Sequence, residues 1–379
     1  MRVTSPLRLL AALPILGASF MVGCGADAPV AAVVADDGLP LPVLPAALLS
    51  YRVAGNPLPA HFITGPGAVV AADNTPATNP ITDAGATLGR VLFYDVRLSA
   101  NNTVSCGSCH LQSVAFGDTA RFSRGLNGTL STRHSPSLAN ARFYGPGRFF
   151  WDERAATLEA QVLDPIANPA EMGLPLDSLE SKLGATRHYG PLFEAAFGTS
   201  AVTRTGVARA LSQFVRAMVS ARSRYDDAFQ GGAVGNFAAV LTPQEAEGEQ
   251  LFRGVGKCAV CHVGNAQIAT QARNIGFVLA PSDTGAGGGR FKVPSLRNVG
   301  VRTRFMHDGR FSSLAQVVDH YNNGVADVAG LDPVLRNAAG LPQRLGLSQA
   351  QRDALVAYLH TLTDPAFLAD PRFADPFPR

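Results

Sequence analysis

One pattern narrows this chain's folding options more than any other, and it occurs twice: Cys106-Gly-Ser-Cys109-His110 and Cys258-Ala-Val-Cys261-His262. A C-x-x-C-H run is the attachment signature of a c-type haem. Two thiols one helical turn apart reach the two vinyl groups of one porphyrin, and the adjacent His is carried under the iron as proximal ligand. A bare C-x-x-C also occurs as half of a zinc ribbon or as a thioredoxin-like redox pair. Here His follows both copies, and of the 5 cysteines only Cys24 lies outside the motifs. No cysteines remain to complete zinc sites, so the expected cofactors are two covalently bound haem c groups.

Composition bounds the rest. The 379 residues, 46% hydrophobic and 16% charged, suffice for two globular domains at roughly 150 residues each. A net charge of +3 without a Lys/Arg run gives no electrostatic basis for a nucleic-acid partner. After the amino terminus no apolar run reaches the ~18 residues of a membrane span. The amino terminus itself reads as an export signal, with Arg2 and Arg8 before an apolar stretch from Leu9 to Val22. It ends in Met21-Val22-Gly23-Cys24, which looks like a bacterial lipoprotein cleavage site with Met21 where Leu is more usual. Ordinary cleavage near Ala26 or Ala28 is the alternative, and the leftover Cys24 favours the lipid. The expectation is a signal peptide over 1–24 and an Ala/Pro-rich tether with an irregular extension over 25–80. The protein is then periplasmic, touching the outer membrane only through lipidated Cys24.

The flanks of the two motifs repeat. Gly89-Arg-Val-Leu92-Phe93 precedes the first, and Gly248-Glu-Gln-Leu251-Phe252 the second. Both are predicted helices, the second opened by Thr242-Pro243-Gln244-Glu245 with an N-cap, Pro at N1 and Glu at N3. Downstream stand Pro136-Ser-Leu138-Ala-Asn140 and Pro294-Ser-Leu296-Arg-Asn298. Arg148-Phe149-x-x-Asp152-x-Arg154-x-x-Thr157-Leu158 then matches Arg304-Phe305-x-x-Asp308-x-Arg310-x-x-Ser313-Leu314 without gaps. Helical apolar spacing recurs at Val207–Met218 and Ala354–Leu362, and strand-like alternation is scarce. The predicted fold is mostly α, two tandem cytochrome c-like haem domains over 81–232 and 233–379, divided near Gly231-Gly232.

From about Ile81 to Leu362 the chain resembles the bacterial di-haem cytochrome c peroxidases and their relative MauG. The resemblance is carried by both haem motifs, Phe150-Trp-Asp-Glu-Arg154, Pro165-Ile-Ala-Asn-Pro-Ala-Glu-Met-Gly173 and Phe291-Lys-Val-Pro-Ser-Leu-Arg-Asn298. It implies that the amino-terminal haem is the peroxidatic site and that the carboxy-terminal haem receives electrons. Gln161 and Glu171 stand at the family's spacing over the peroxide-binding haem. Glu171 would take a proton from peroxide and return it to the departing oxygen, and Gln161 would orient the peroxide. Trp151, the only tryptophan, falls where the family has a relay between the haems; a core aromatic is the plainer reading.

The distal ligand of the second haem stays open among three residues. By resemblance Tyr321 falls where peroxidases have Met and MauG has Tyr; a thioether raises the haem potential and a phenolate lowers it. Met306 is chemically suitable, though the repeat pairs it with Phe150. His320 would point about 100° from Tyr321 on a helix, so only one of the two can face the iron. At the first haem, the position of the family's releasable His is Leu126, which implies an open iron without reductive activation. His134 replaces the family's Asn beside an inter-haem Ca²⁺, which puts that ion in doubt because imidazole is a poor calcium ligand. His307 pairs with Trp151 in the repeat and suits a haem-propionate contact or a core role. His61, His188 and His360 carry no context, and Gly285–Gly289 reads as a loop.

The resemblance thus implies a peroxidase reducing H₂O₂ with electrons from a small c-type cytochrome or cupredoxin. A MauG-like oxidase of Trp or Tyr on a partner protein is the first alternative, and a non-catalytic electron-transfer cytochrome the second. Relatives also lead one to expect a homodimer.

Overall fold

The computed structural model describes residues 37–52, 57–280 and 282–378; the export signal and Cys24 lie outside them. Four long helices form two packed pairs. Asp83–Tyr94 lies against Arg204–Ala217, and Pro243–Arg253 against Gln349–His360. Their starts are set by side chains that satisfy free amides. Thr82 accepts from the Gly85 amide, while Thr242 with Glu245 and Ser348 with Gln351 close capping boxes.

Each pair has a glycine at its contact. A Cβ on Gly89 would run into the Ala210 carbonyl and Phe214, and one on Gly248 into the Ala354 carbonyl and Tyr358. Gly costs about 1 kcal/mol against Ala inside a helix. Both copies keep it because the neighbouring backbone occupies the place of a side chain. Among the described residues there are isolated bridges and no strands, and the bridges repeat too, Phe149–Ala155 in one copy and Phe305–Phe311 in the other.

The first core gathers Leu88, Leu92, Phe93, Leu211 and Phe214, and the second Leu251, Phe252, Leu355, Tyr358 and Leu359. Three segments cross the division expected near Gly231-Gly232. Phe367 and Phe373, downstream in the second copy, are buried in the first core. Tyr225 and Phe229 pack into the second core. Phe62 and Val69 join Phe143 and Tyr144 to Ala266 and Ile268. Burying one such aromatic side chain contributes roughly 1.5–3 kcal/mol, so apolar segments pack where a core has room, irrespective of chain order. Described parts of the irregular stretch before residue 80 pack as well. Asp37 pairs with buried Arg97 (2.6 Å), and the Tyr51 amide bonds Asp83 (2.8 Å).

A buried ion cluster fastens these crossings. Arg297 donates to both oxygens of Asp226 (2.5 and 2.7 Å), which also bonds His61 (2.8 Å). Burial pushes the Asp226 pKa up, but the Arg297 charge and the bonds from His61 and Ser223 hold it well below the carboxylate range.

Candidate functional site

Each C-x-x-C segment is a single helical turn, Cys106–Cys109 and Cys258–Cys261, ending at its histidine. Gly107 packs against the Tyr94 ring, where a Cβ would come 2.5 Å from a ring carbon. The four cysteines are unpaired thiols, and burial pushes Cys106 and Cys258 up to about 12 and Cys109 to about 11. His110 Nδ1 donates to the Phe116 carbonyl (2.7 Å) and His262 Nδ1 to that of Gln267 (3.3 Å). Because a carbonyl only accepts, Nε2 is left as the bare ligating nitrogen in both rings. Burial holds His262 down to about 4 and lowers His110 as well, which keeps the imidazoles neutral.

Two largely apolar cavities open in front of these turns, with about 1670 Å³ of space at the first and 1610 Å³ at the second, counted out to the mouth. Two thiols, a neutral imidazole and a deep apolar slot fit a covalently attached porphyrin at each position.

The first cavity brings together Cys106, Cys109, His110, Gln161, Glu171 and Trp151. Gln161 ends the turn Leu158–Gln161, which Thr157 caps. Glu171 accepts from Asn168 (2.9 Å), and burial raises its pKa against that bond and the Arg154 charge. Asn168 lies inside the Pro165–Gly173 run, but a carboxylate-holding role left no separate mark in the sequence. Leu126 gives its amide to the Glu171 carbonyl (2.8 Å) and packs by Gly173. Met172, which the sequence reading did not weigh, also lines this cavity, from within the first core.

The second cavity is lined by Cys258, Cys261, His262, Met306 and Tyr321. Tyr321 sits on a π-turn, His320–Gly324, a local widening of the helix often found at functional sites. His320 turns away: its Nε2 bonds the Ile275 carbonyl (2.9 Å), and its ring lies 4.4 Å from Phe277. Met306 has φ +72°, a conformation it shares with its repeat partner Phe150 at +65°, so it belongs to the shared turn.

The cavities share a wall that includes His134, Trp151, Lys292 and Pro294. The Trp151 indole N–H donates to the His134 carbonyl (2.7 Å), and its own carbonyl accepts from the Lys292 amide (2.8 Å). His307 stacks on Phe291 (3.6 Å) and meets Trp151 edge-on (6.4 Å). His134 Nδ1 faces the Ala120 and Arg121 carbonyls (3.1 and 3.2 Å), and its Nε2 lies 2.6 Å from the Arg302 guanidinium. That guanidinium also donates to the Ser135 carbonyl (3.2 Å).

Two haem-attachment turns facing cavities with a common wall define a di-haem c-type cytochrome. A family profile described as "Di-haem cytochrome c peroxidase" matches residues 83–233, and one described as "Cytochrome c" matches 245–363. The chain is 33% identical to the "Methylamine utilization protein MauG" of Methylorubrum extorquens over 308 residues, 78% of this chain and 83% of that one. It is 32% identical to the "Cytochrome c551 peroxidase" of Nitrosomonas europaea over 256 residues, 64% and 74%. Among solved structures, a "MauG-like protein associated with microbial copper homeostasis" superposes with TM-score 0.69 at 31% identity, covering 79% of this chain and 95% of that one. The "diheme peroxidase BthA" of Burkholderia thailandensis gives 0.64 at 26% identity, covering 81% and 93%. The chain belongs to the di-haem cytochrome c peroxidase and MauG family, and is accordingly a mostly helical oxidoreductase carrying two haem c groups.

Proposed function

We propose that this protein is a periplasmic peroxidase that reduces H₂O₂ to water over residues 81–232. A small c-type cytochrome or cupredoxin delivers the electrons through residues 233–379. The observation that carries this reading is the shared wall. Trp151 touches both cavities, and only the first also holds Glu171 and Gln161. Cys106, Cys109 and His110 would hold the first haem, which would supply the redox chemistry of peroxide reduction. Glu171, made less acidic by burial, takes the proton from the near oxygen and returns it to the departing one, while Gln161 orients the peroxide. Leu126, lacking a ligating atom, supports a first site open without reductive activation. The Arg302 guanidinium against His134 and the Ser135 carbonyl supplies fixed positive charge at the wall, so this reading includes no Ca²⁺ there.

Tyr321 on the second cavity favours a second reading, MauG-like oxidation of a Trp or Tyr on a partner protein, since a phenolate ligand stabilises oxidised iron. Electron paramagnetic resonance of the diferric protein before and after H₂O₂ tests both. A high-spin signal beside a low-spin one, both lost on adding peroxide, is the expected result. Rapid peroxide-dependent oxidation of a reduced cytochrome or cupredoxin then selects the peroxidase over the partner-protein oxidase. Two low-spin signals indifferent to peroxide would sink both readings and leave an electron-transfer cytochrome.

A further inference from the structure

One residue away from Trp151 through Lys292 stands a second oxidisable aromatic residue that the peroxidase reading does not use. Tyr144 is 0% exposed, and its hydroxyl donates a hydrogen bond to Glu153 Oε1. Lys292 links it to Trp151. The Lys292 amide donates to the Trp151 carbonyl (2.8 Å), and its ammonium lies 4.1 Å from the Tyr144 ring centroid. Lys292 also lines both cavities. A single lysine residue therefore spans the gap from Trp151 to Tyr144.

Glu153 is held in a backbone conformation that does not suit it. Its φ is +54°, in the left-handed region that residues with a Cβ rarely adopt. The repeat pairs Glu153 with Gly309, where φ is +63° and the residue is the one this turn prefers. The second copy thus has Gly at this turn, whereas the copy with Glu171 and Gln161 tolerates strain to place a carboxylate on a buried phenol. Strain retained at one copy of a repeated turn points to a use for the side chain.

We propose that Tyr144 and Glu153 form a proton-coupled redox relay that takes an oxidising equivalent from Trp151. The relay rests on the peroxide reading above, in which electrons for peroxide are drawn through Trp151 and leave its indole one electron short. Tyr144 passes one electron to that indole and restores it. The Tyr144 O–H bond breaks, its proton moves to the Glu153 carboxylate, and a neutral tyrosyl radical remains beside a neutral carboxyl group. An electron from the donor protein, with return of the proton, restores both side chains. Oxidation makes a phenol strongly acidic and the Glu153 carboxylate already accepts its hydrogen bond, so proton and electron leave together. Burial pulls the Lys292 pKa down to about 7, and Lys292 adds positive charge over the ring only in its protonated form. Burial, followed by the bond to Glu153 and its charge, pushes the Tyr144 pKa up, so the phenol keeps its proton until it is oxidised.

The test is freeze-quench electron paramagnetic resonance of the two-haem protein mixed with H₂O₂ without donor, bearing ring-deuterated tyrosine. The wild type is expected to lose its ferric signals and gain a tyrosyl signal narrowed by deuteration. Tyr144→Phe should abolish that signal, and Glu153→Gln should reduce it at least tenfold, with ferric loss continuing in both. Glu153→Gly suits the turn and should fold at least as well as wild type, yet lose the radical, which separates proton acceptance from a structural role. Ferric loss without a tyrosyl signal in the wild type overturns the relay alone. So does a tyrosyl signal undiminished in Tyr144→Phe or in either Glu153 variant. Ferric signals unmoved by peroxide in the wild type overturn the peroxide reading, and the relay falls with it.

Discussion

Glu171→Gln changes little in the first cavity besides its chemistry. The Glu171 carboxylate accepts from Asn168 at 2.9 Å; a glutamine amide oxygen keeps that bond and almost the same volume. What is lost is the base. General acid–base catalysis contributes about 10²–10⁴-fold, or roughly 3–5 kcal/mol at about 1.36 kcal/mol per decade. Burial raises the Glu171 pKa, which moves its proton affinity toward the working pH, where such a base is most effective. The loss should therefore fall in the upper part of the range, about 10³–10⁴-fold. The assay is the stopped-flow second-order rate constant for H₂O₂ reacting with the diferric protein. The carboxylate is the active form, so the wild-type rate should fall as pH drops through a pKa above the ordinary carboxyl range. The variant should show no such inflection, and its resting paramagnetic spectrum should match wild type. A loss below about tenfold, or an inflection surviving in Glu171→Gln, would refute the assignment.

Three further outcomes follow from the packing and the second cavity. Gly248→Ala places a methyl against the Ala354 carbonyl and should lower stability by about 1–3 kcal/mol, read as a lower denaturation midpoint; an unchanged midpoint would contradict the close helix contact. Asp226→Asn leaves the buried Arg297 charge unpaired and should cost about 3–5 kcal/mol in denaturant titration at neutral pH. Because the folded pKa of Asp226 is depressed, its stabilisation is complete above the unfolded value of about 3.9 and is lost as pH falls toward the folded one. The variant should lack this part of the acid limb. Tyr321→Met should raise the second haem's potential, since thioether replaces phenol at the iron; a spectroelectrochemical potential equal to wild type would mean that Tyr321 does not ligate.

What could be read from the sequence was whatever fixed spacing demands. Thioether attachment needs Cys, Cys and His in register, and the helix contacts need Gly89 and Gly248. The repeat made both visible, and local pattern also marked the Thr242 cap with Pro243 at the first helical position. Contacts between distant segments left no local pattern. Nothing near Phe367 or Phe373 says that they pack in the first core, and nothing near Arg302 announces His134. The three candidates for the second haem could not be separated because helical phase alone treats His320 and Tyr321 alike. The structure separates His320 by the bond to Ile275 and leaves Tyr321 and Met306 on the cavity. The Tyr144–Glu153 pair had one trace in the sequence, Glu153 standing opposite Gly309.

The packing of Phe367 and Phe373 in the first core constrains the order of biogenesis. Phe367 meets Phe116 at 5.7 Å, Phe373 meets Phe214 at 6.0 Å, and Tyr94 donates to the Phe373 carbonyl (2.7 Å), 279 residues downstream in the chain. A nascent chain that has released only its first haem motif cannot close this core, because the aromatic plug has yet to be synthesised. The first core, against which Cys106 packs, is therefore completed only when the last residues of the chain are present. A polypeptide stopped at the midpoint would leave that apolar gap open to water, because the rings that fill it come from the far end of the chain.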